Sequence, residues 1–514
     1  MALRGLAVPQ PLARAAKVGT RLPLVLVGAS LALLLAAWIV ATQPFAAPDE
    51  ASHYLRALTV ANGQLLGPKM RYPPVPGMTL TELAFVQGDT RGVLVPSRLS
   101  PPGVLCAGGN TDSRPSRGCI EATPTGDYFP PPYLLPALAL EVSSDATSGL
   151  WLGRIASAVP CFAFIVLAFI LLWELDCWSI VGLMLAVSPM VLFVGSILNP
   201  NGLEIAASLA FAAAVLRIAR APARAHRWVW VVLVISGAVT VLSWQVGPVF
   251  AIGDLLLGMA LIGRDGLRAL QTASGRMVRL AGVALLAACG FWLWYSRASG
   301  VSHTQFGVSP VLASLHEGLV QLESVLRDAV GRFGALTVHL PAWACWSWWL
   351  AVVAVVAVAA WLGNRRERVV IGSVMVTAFA FPVLAYAWFQ RHSGFGMQGR
   401  YVLPVLMLIP LAAGEVIYRH RSRLVSSRTA RLTLPVGIAL IAAFQAYAWW
   451  FDARNAAGAP GTIRVWAHAT WSPPLGWIAW TLAPALGAGA LLAVAALQAG
   501  GHVRRQAPPE MLRQ

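Results

Sequence analysis
Residues 22–42, LPLVLVGASLALLLAAWIVAT, form an apolar run of membrane-spanning length, and residues 48–56, PDEASHYLR, follow almost at once. The second segment reads as a helix. Pro48 or Asp49 suits its N-terminus and Gly63 its end. Ala51, Tyr54, Leu55, Leu58 and Ala61 recur at helical spacing and make one apolar face, with Asp49, Glu50, Ser52, His53 and Arg56 on the other. Asp49 and His53 stand one turn apart, so a carboxylate, an imidazole and a guanidinium form one stripe. A helix of this kind, tethered to a span, is expected to lie along the membrane interface with its polar stripe over the surface. Either that stripe carries chemistry or it is an ordinary solvated face.

The remainder of the chain extends the membrane reading. Hydrophobic residues make up 57% and charged residues 11%, against about a quarter charged in soluble domains. Apolar runs recur to the end, so the expected fold is an all-α polytopic membrane protein, and soluble and secreted classes are excluded. The first run is too long for a signal-peptide core and is expected to be a retained span. About twelve spans are expected, at 22–42, 149–172, 177–197, 202–219, 228–243, 247–263, 280–296, 343–362, 369–389, 401–418, 432–451 and 475–498.

The net charge of +17 would suit a nucleic-acid binder if it were clustered, but it is not. Basic residues gather in alternate loops: Arg4, Arg14, Lys17 and Arg21; Arg217, Arg220, Arg224 and Arg227; Arg264, Arg268, Arg276 and Arg279. Arg365, Arg366 and Arg368, then Arg419 to Arg431, then Arg504, Arg505 and Arg513 complete the series. This positive-inside pattern puts both termini in the cytoplasm and the basic excess against anionic lipid heads, with no nucleic acid as partner. The layout is a cytoplasmic tail (1–21), one membrane domain (22–498) and a second cytoplasmic tail (499–514).

Outside the membrane, the first loop (43–148) is by far the longest, followed by 297–342 and 452–474. A structureless loop of that length is disfavoured, so it should hold amphipathic interfacial helices or a function. Its end, Asp127-Tyr128-Phe129-Pro130-Pro131-Pro132-Tyr133, leads into Leu134–Leu140, too short to span and expected to be interfacial or re-entrant. Cys106 and Cys119 are the only cysteines in an outer loop, which makes them the one intramolecular disulfide choice in an oxidising compartment. No cysteine or histidine spacing suits a metal.

Polar residues within spans need a partner, since a carboxylate at mid-bilayer costs roughly 2.5–3.5 kcal/mol. Glu204 follows Asn199-Pro200-Asn201-Gly202, Asp254 lies deeper, and Glu415 near the cytoplasmic end is expected to pair with arginines. A second outward cluster runs from Gln390 to Tyr401 and contains Arg391, His392, Gln398 and Arg400. Its arginines offer forked donors that match phosphate oxygens, or else they anchor at the interface.

A long first outer loop that opens on an acidic pair resembles the GT-C glycosyltransferases, integral membrane enzymes that use polyprenyl-phosphate sugars. Four motifs, Pro48-Asp49-Glu50-x-x-His53-x-x-Arg56, Tyr128-x-Pro130-Pro131-x-Tyr133, Ser188-Pro189 to Asn199-Pro200-Asn201-Gly202, and Gln398-Gly399-Arg400-Tyr401, look like a bacterial predicted-membrane-protein family of unknown function inside that superfamily. Relatives often carry Asp where this chain has Asn201, so a second carboxylate there would have to come from Glu204.

The resemblance implies a bacterial plasma-membrane enzyme with an extracytoplasmic site. It would move sugar from a polyprenyl-phosphate donor to an envelope glycan, lipid or protein, with inversion. Asp49, or Glu50, would be the base. His53, Arg56, Tyr128, Tyr133, Asn199, Asn201, Glu204, Arg391, His392, Gln398, Arg400 and Tyr401 would bind substrate, with Arg400 on the phosphate. A divalent cation near Asp49 and Glu50 stays open, without an Asp-x-Asp signature; no nucleotide cradle is present. Two other classes compete: a transporter or flippase of lipid-linked saccharide, which should show internal repeats, and a non-catalytic envelope-assembly scaffold.

Overall fold
The computed structural model describes residues 10–71, 77–102, 119–174, 176–299, 310–425 and 427–506. Helices dominate. In chain order they are α1 (Gln10–Ile39), α2 (Glu50–Ala61), α3 (Leu80–Asp89), α4 (Leu134–Glu141), α5 (Ala146–Leu172), α6 (Val181–Ala186), α7 (Pro189–Ser196), α8 (Pro200–Arg220) and α9 (Arg227–Ser243). There follow α10 (Gly247–Ala298), α11 (Val311–Gly331), α12 (Ala342–Leu362), α13 (Arg365–Ser393), α14 (Leu403–Leu406), α15 (Leu408–Arg419), α16 (Arg421–Val425), α17 (Arg428–Ala456) and α18 (Gly476–Gln506). Two short antiparallel ribbons complete the described residues: β1 (Arg91–Val95) with β2 (Cys119–Thr123), and β3 (Arg332–Phe333) with β4 (Val338–His339).

Among the described residues nine helical segments are long and apolar enough to cross a membrane, taking Gly399–Arg419 as one. The other three expected stretches are helical in different ways. Residues 228–243 lie in the shorter α9. Residues 280–296 are the far part of α10, whose backbone leaves helical geometry at Gly263 and Ser274. Residues 177–197 are broken between α6 and α7, where Ser188 is extended before Pro189, as the residue before a proline prefers.

The core is built around α8 and the Gly399–Arg419 segment, the two most enclosed spans. Alanines at 206, 207, 210, 212, 213 and 214 leave α8 slim enough for close neighbours, and it packs against α5, α9 and α10. Leu286, Leu350, Trp361, Val376 and Leu440 on the surrounding helices stay exposed, as lipid-facing side chains do.

Both central segments carry an ionic cluster at their C-terminal ends. There Glu415 accepts from Arg220 (2.8 Å) and Arg419 (3.0 Å), Glu367 meets His420 (2.8 Å), and Arg217 pairs with Glu174. Glu415 thus has the arginine partners expected of it. Asp254 accepts from Ser208 Oγ at 3.0 Å, so it is satisfied internally.

The first outer loop holds structure of its own, including the ribbon β1–β2, which was not foreseen. Helix α4 buries Ala137 and Leu140 but exposes Leu134, Leu135 and Leu138, the apolar surface expected of an interfacial helix. Helix α2 departs from its expected setting. It starts and stops as read, with Asp49 at its N-cap and Gly63 beyond its end at φ 72°. Its polar side, however, is not laid over a surface: Glu50, His53 and Arg56 are buried, each against a partner distant in sequence.

Candidate functional site
Asp49 occupies the junction of α1 and α2 with φ 57°, a left-handed conformation uncommon for a non-glycine residue. Its carboxylate makes no capping bond to the helix it precedes. It turns instead to Arg400, whose Nη2 donates to Oδ2 at 2.5 Å. The Asp49 side chain is 53% exposed and that of Arg400 only 1%. The pair therefore stands at the mouth of a buried cationic position.

Arg400 lies in a 3₁₀ turn, Gly399–Val402, that precedes α14. Gly399 allows the turn to sit against α11, since an added Cβ would overlap Ala329 N and Val325 O. From this seat Nη2 also donates to Tyr401 Oη at 3.1 Å, and the guanidinium rests 5.0 Å from that ring. Nε and Nη1 are buried without any partner among the described residues. Two unused donors on a fully buried cation are costly unless a ligand takes them. Trp244, between α9 and α10, stacks against Tyr401 at 4.7 Å.

Glu50, next to Asp49, is placed quite differently. It receives Arg154 Nε and Nη2 at 2.7 Å each, with both side chains fully buried. Arg154 spends its other donors on the carbonyls of Ile39, Thr42 and Gln43, the chain that leads from α1 to Asp49. Asn199 Nδ2 donates to Pro48 O at 3.3 Å, so α8 grips the same junction. Asn199 also caps α8 through Asn201 N, while Asn201 Nδ2 reaches Glu204 Oε2 at 3.4 Å. Glu204 is 1% exposed and its Oε1 is unpartnered among the described residues.

His53 is buried beneath Asp49, and its Nδ1 lies 2.8 Å from Tyr133 Oη. Burial drives its pKa down to about 4, with Arg400 adding to that effect and Asp49 opposing it, so the imidazole is neutral at pH 7. Burial likewise raises the Tyr133 and Tyr128 phenols, which remain protonated. Tyr128 packs near the His53 ring at 5.8 Å. Arg56 donates to the carbonyls of Tyr128 (2.6 and 2.9 Å) and Leu65 (2.9 Å) and to Tyr295 Oη. Its Nε and Nη2 thus hold the loop, while Nη1 is buried without a partner among the described residues.

Of the remaining expected residues, Arg391 and His392 end α13, with His392 stacked on Trp388 at 4.6 Å. Neither hydrogen-bonds to Asp49 or Arg400 among the described residues. Gln398 caps the Arg400 turn, and its buried Oε1 has no partner among the described residues. Cys119 opens β2, while Cys106 lies outside the described residues. No group of three or more metal-ligating side chains occurs among the described residues.

Sequence reasoning missed Arg154, Trp244 and a buried carboxyl pair, Asp89 and Asp127, which lie close together beside Arg91. Arg154 could have been found, because an arginine inside an apolar span demands a partner. Burial pushes Asp89 up to about 7 and raises the Asp127 carboxyl as well, with Asp89 adding to the rise.

These features define a polytopic helical membrane protein with a buried guanidinium facing an exposed carboxylate, Arg400 and Asp49, at one end of its helices. The chain belongs to the DUF2142 family, described as "Predicted membrane protein", whose model matches residues 32–409. No curated protein matches it in sequence. Among solved structures it is similar to ArnT from Cupriavidus metallidurans in the apo state, at 15% identity over 93% of this chain and 77% of that one, with a TM-score of 0.44. It is also similar to the same protein bound to undecaprenyl phosphate, at 14% identity over the same shares, with a TM-score of 0.39.

Proposed function
We propose that this protein is an inverting membrane glycosyltransferase that moves a sugar from a polyprenyl-phosphate donor to an extracytoplasmic acceptor. The observation that carries the reading is the meeting of Asp49 and Arg400. An accessible carboxylate faces a buried guanidinium with unused donors, which supplies the two charges such a transfer needs. Asp49 takes the proton of the acceptor hydroxyl as its oxygen attacks the anomeric carbon. The bond from that carbon to the phosphate oxygen breaks, and the leaving phosphate keeps the electron pair with its growing charge against Arg400.

Glu50 does not share this role. Its two oxygens are closed on Arg154, so it fixes the position of Asp49 instead. Neutral His53, held by Tyr133, lines the floor below the base as a hydrogen-bonding group. Trp244 and Tyr401 offer an aromatic wall of the kind sugars stack upon.

A comparison of lipid extracts from wild-type and Asp49→Asn cells tests the reading. Accumulation of a polyprenyl-phosphate sugar in the variant, with folded protein at wild-type level, is the expected result. Unchanged lipids, together with full transfer by the purified variant, would remove the base and the proposal with it. Asparagine suits the left-handed backbone at this position and leaves only the proton acceptor missing. The expected loss is about 10²–10⁴-fold in transfer rate.

A further inference from the structure
The contact that marks the site also blocks it. Asp49 Oδ2 and Arg400 Nη2 are 2.5 Å apart, whereas a base and a leaving phosphate must stand on opposite faces of a sugar ring during inversion. No sugar fits between groups in hydrogen-bond contact. The stereochemistry of the guanidinium sharpens the point. A bidentate phosphate uses either the Nε–Nη2 edge or the Nη1–Nη2 edge. Both edges contain Nη2, and its two protons are already given to Asp49 and Tyr401. The unused donors, Nε and Nη1, are the outer halves of those same two forks.

We propose that donor phosphate and Asp49 compete for Arg400, so that binding of the lipid phosphate is what releases the base. In the unloaded protein the Asp49 carboxylate is engaged by Arg400 and is not turned to an acceptor hydroxyl. When phosphate completes a fork on Arg400, the carboxylate swings free toward its exposed side, and the space between the two becomes the sugar site. Binding is therefore ordered, with donor before acceptor chemistry, and the base is quiet while no donor is present. This rests on the phosphate role assigned to Arg400 above.

The competition makes an unusual demand: removing the catalytic carboxylate should strengthen donor binding. The probe is a sugar-free polyprenyl phosphate titrated into purified full-length protein in detergent, read by tryptophan fluorescence, with Trp244 stacked beside the site. Asp49→Asn and Asp49→Gly both accept the φ of 57°. Each should bind the probe roughly tenfold more tightly than wild type, as expected when one charge-assisted hydrogen bond no longer competes. Wild-type or weaker affinity in both variants would overturn the competition, while loss of binding in Arg400→Lys would still leave the phosphate site standing. Equal binding by wild type and Arg400→Lys would instead sink the phosphate site itself, and the competition with it.

Discussion
Consider Glu50→Gln, a change of one atom beside Asp49. The carboxylate accepts two bonds from Arg154 at 2.7 Å and a longer one from Leu198 N at 3.4 Å, with both charged groups fully buried. Glutamine keeps the shape but turns one acceptor into a donor that faces Arg154 N–H groups, and it leaves a buried cation without a counter-charge. Breaking one side of such a pair typically costs about 3–5 kcal/mol. Asp49→Asn takes its charge from a half-exposed carboxylate, although the Arg400 it faces is buried, so its stability loss should be smaller than that of Glu50→Gln. The two neighbours should therefore fail in opposite ways: Glu50→Gln in folding, Asp49→Asn in chemistry. Thermal unfolding of purified protein, followed by the loss of the monodisperse peak on size exclusion, separates them. A second substitution refines the test. Adding Arg154→Met removes the orphaned cation and should recover part of the loss, although the Ile39, Thr42 and Gln43 carbonyls then lack donors. A Glu50→Gln protein with wild-type thermal stability and no transfer would refute the division of roles.

Arg400→Lys should weaken polyprenyl-phosphate binding by tenfold or more, because lysine keeps the charge but loses the fork; titration as above checks it, and unchanged affinity would return Arg400 to a structural role. Asp127→Asn should stabilise the protein more at pH 8 than at pH 4. Burial, with Asp89 adding to it, raises the folded Asp127 carboxyl well above its ordinary 3.8, so wild-type stability drains as pH rises above that ordinary value, by up to about 1.4 kcal/mol per unit; parallel melts at the two pH values give the answer. Tags at residue 270 and at the C-terminus should be cytoplasmic and a tag near residue 110 outside, and a cytoplasmic tag at 110 would overturn the site's placement. Non-reducing peptide mapping should find Cys106 bonded to Cys119, with two free thiols as the contrary result.

The sequence made the membrane class and the approximate spans legible, because apolar length and arginine placement are local signals. Asp49 and Arg400 were both legible as site candidates, the first from its place after the opening span, the second from its glycine-rich setting. What could not be read was their contact, since nothing in either motif encodes a meeting across 351 positions. The burial of Glu50 and Arg56 was not legible for a related reason. Each looks like a solvent-facing charge on a helical wheel, but the wheel shows neither the buried Arg154 nor the Tyr128 carbonyl that receives them. The break at Ser188-Pro189 was visible in the letters, yet its apolar surroundings masked it as a single span. The ribbon β1–β2 escaped notice because strands this short need a partner, and the partner lies beyond a Pro- and Gly-rich stretch.

The sequence separation of the site's two ionic contacts has a consequence for biosynthesis. Glu50 and Arg154 are 104 positions apart, so the clamp that sets Asp49 can close once the second long helix has entered the bilayer. Arg400 is made far later, after most of the protein is already inserted. A nascent chain thus carries the Asp49 carboxylate for most of its synthesis with no guanidinium opposite it. The pair is completed late, when the 3₁₀ turn docks on α11 from the far end of the chain.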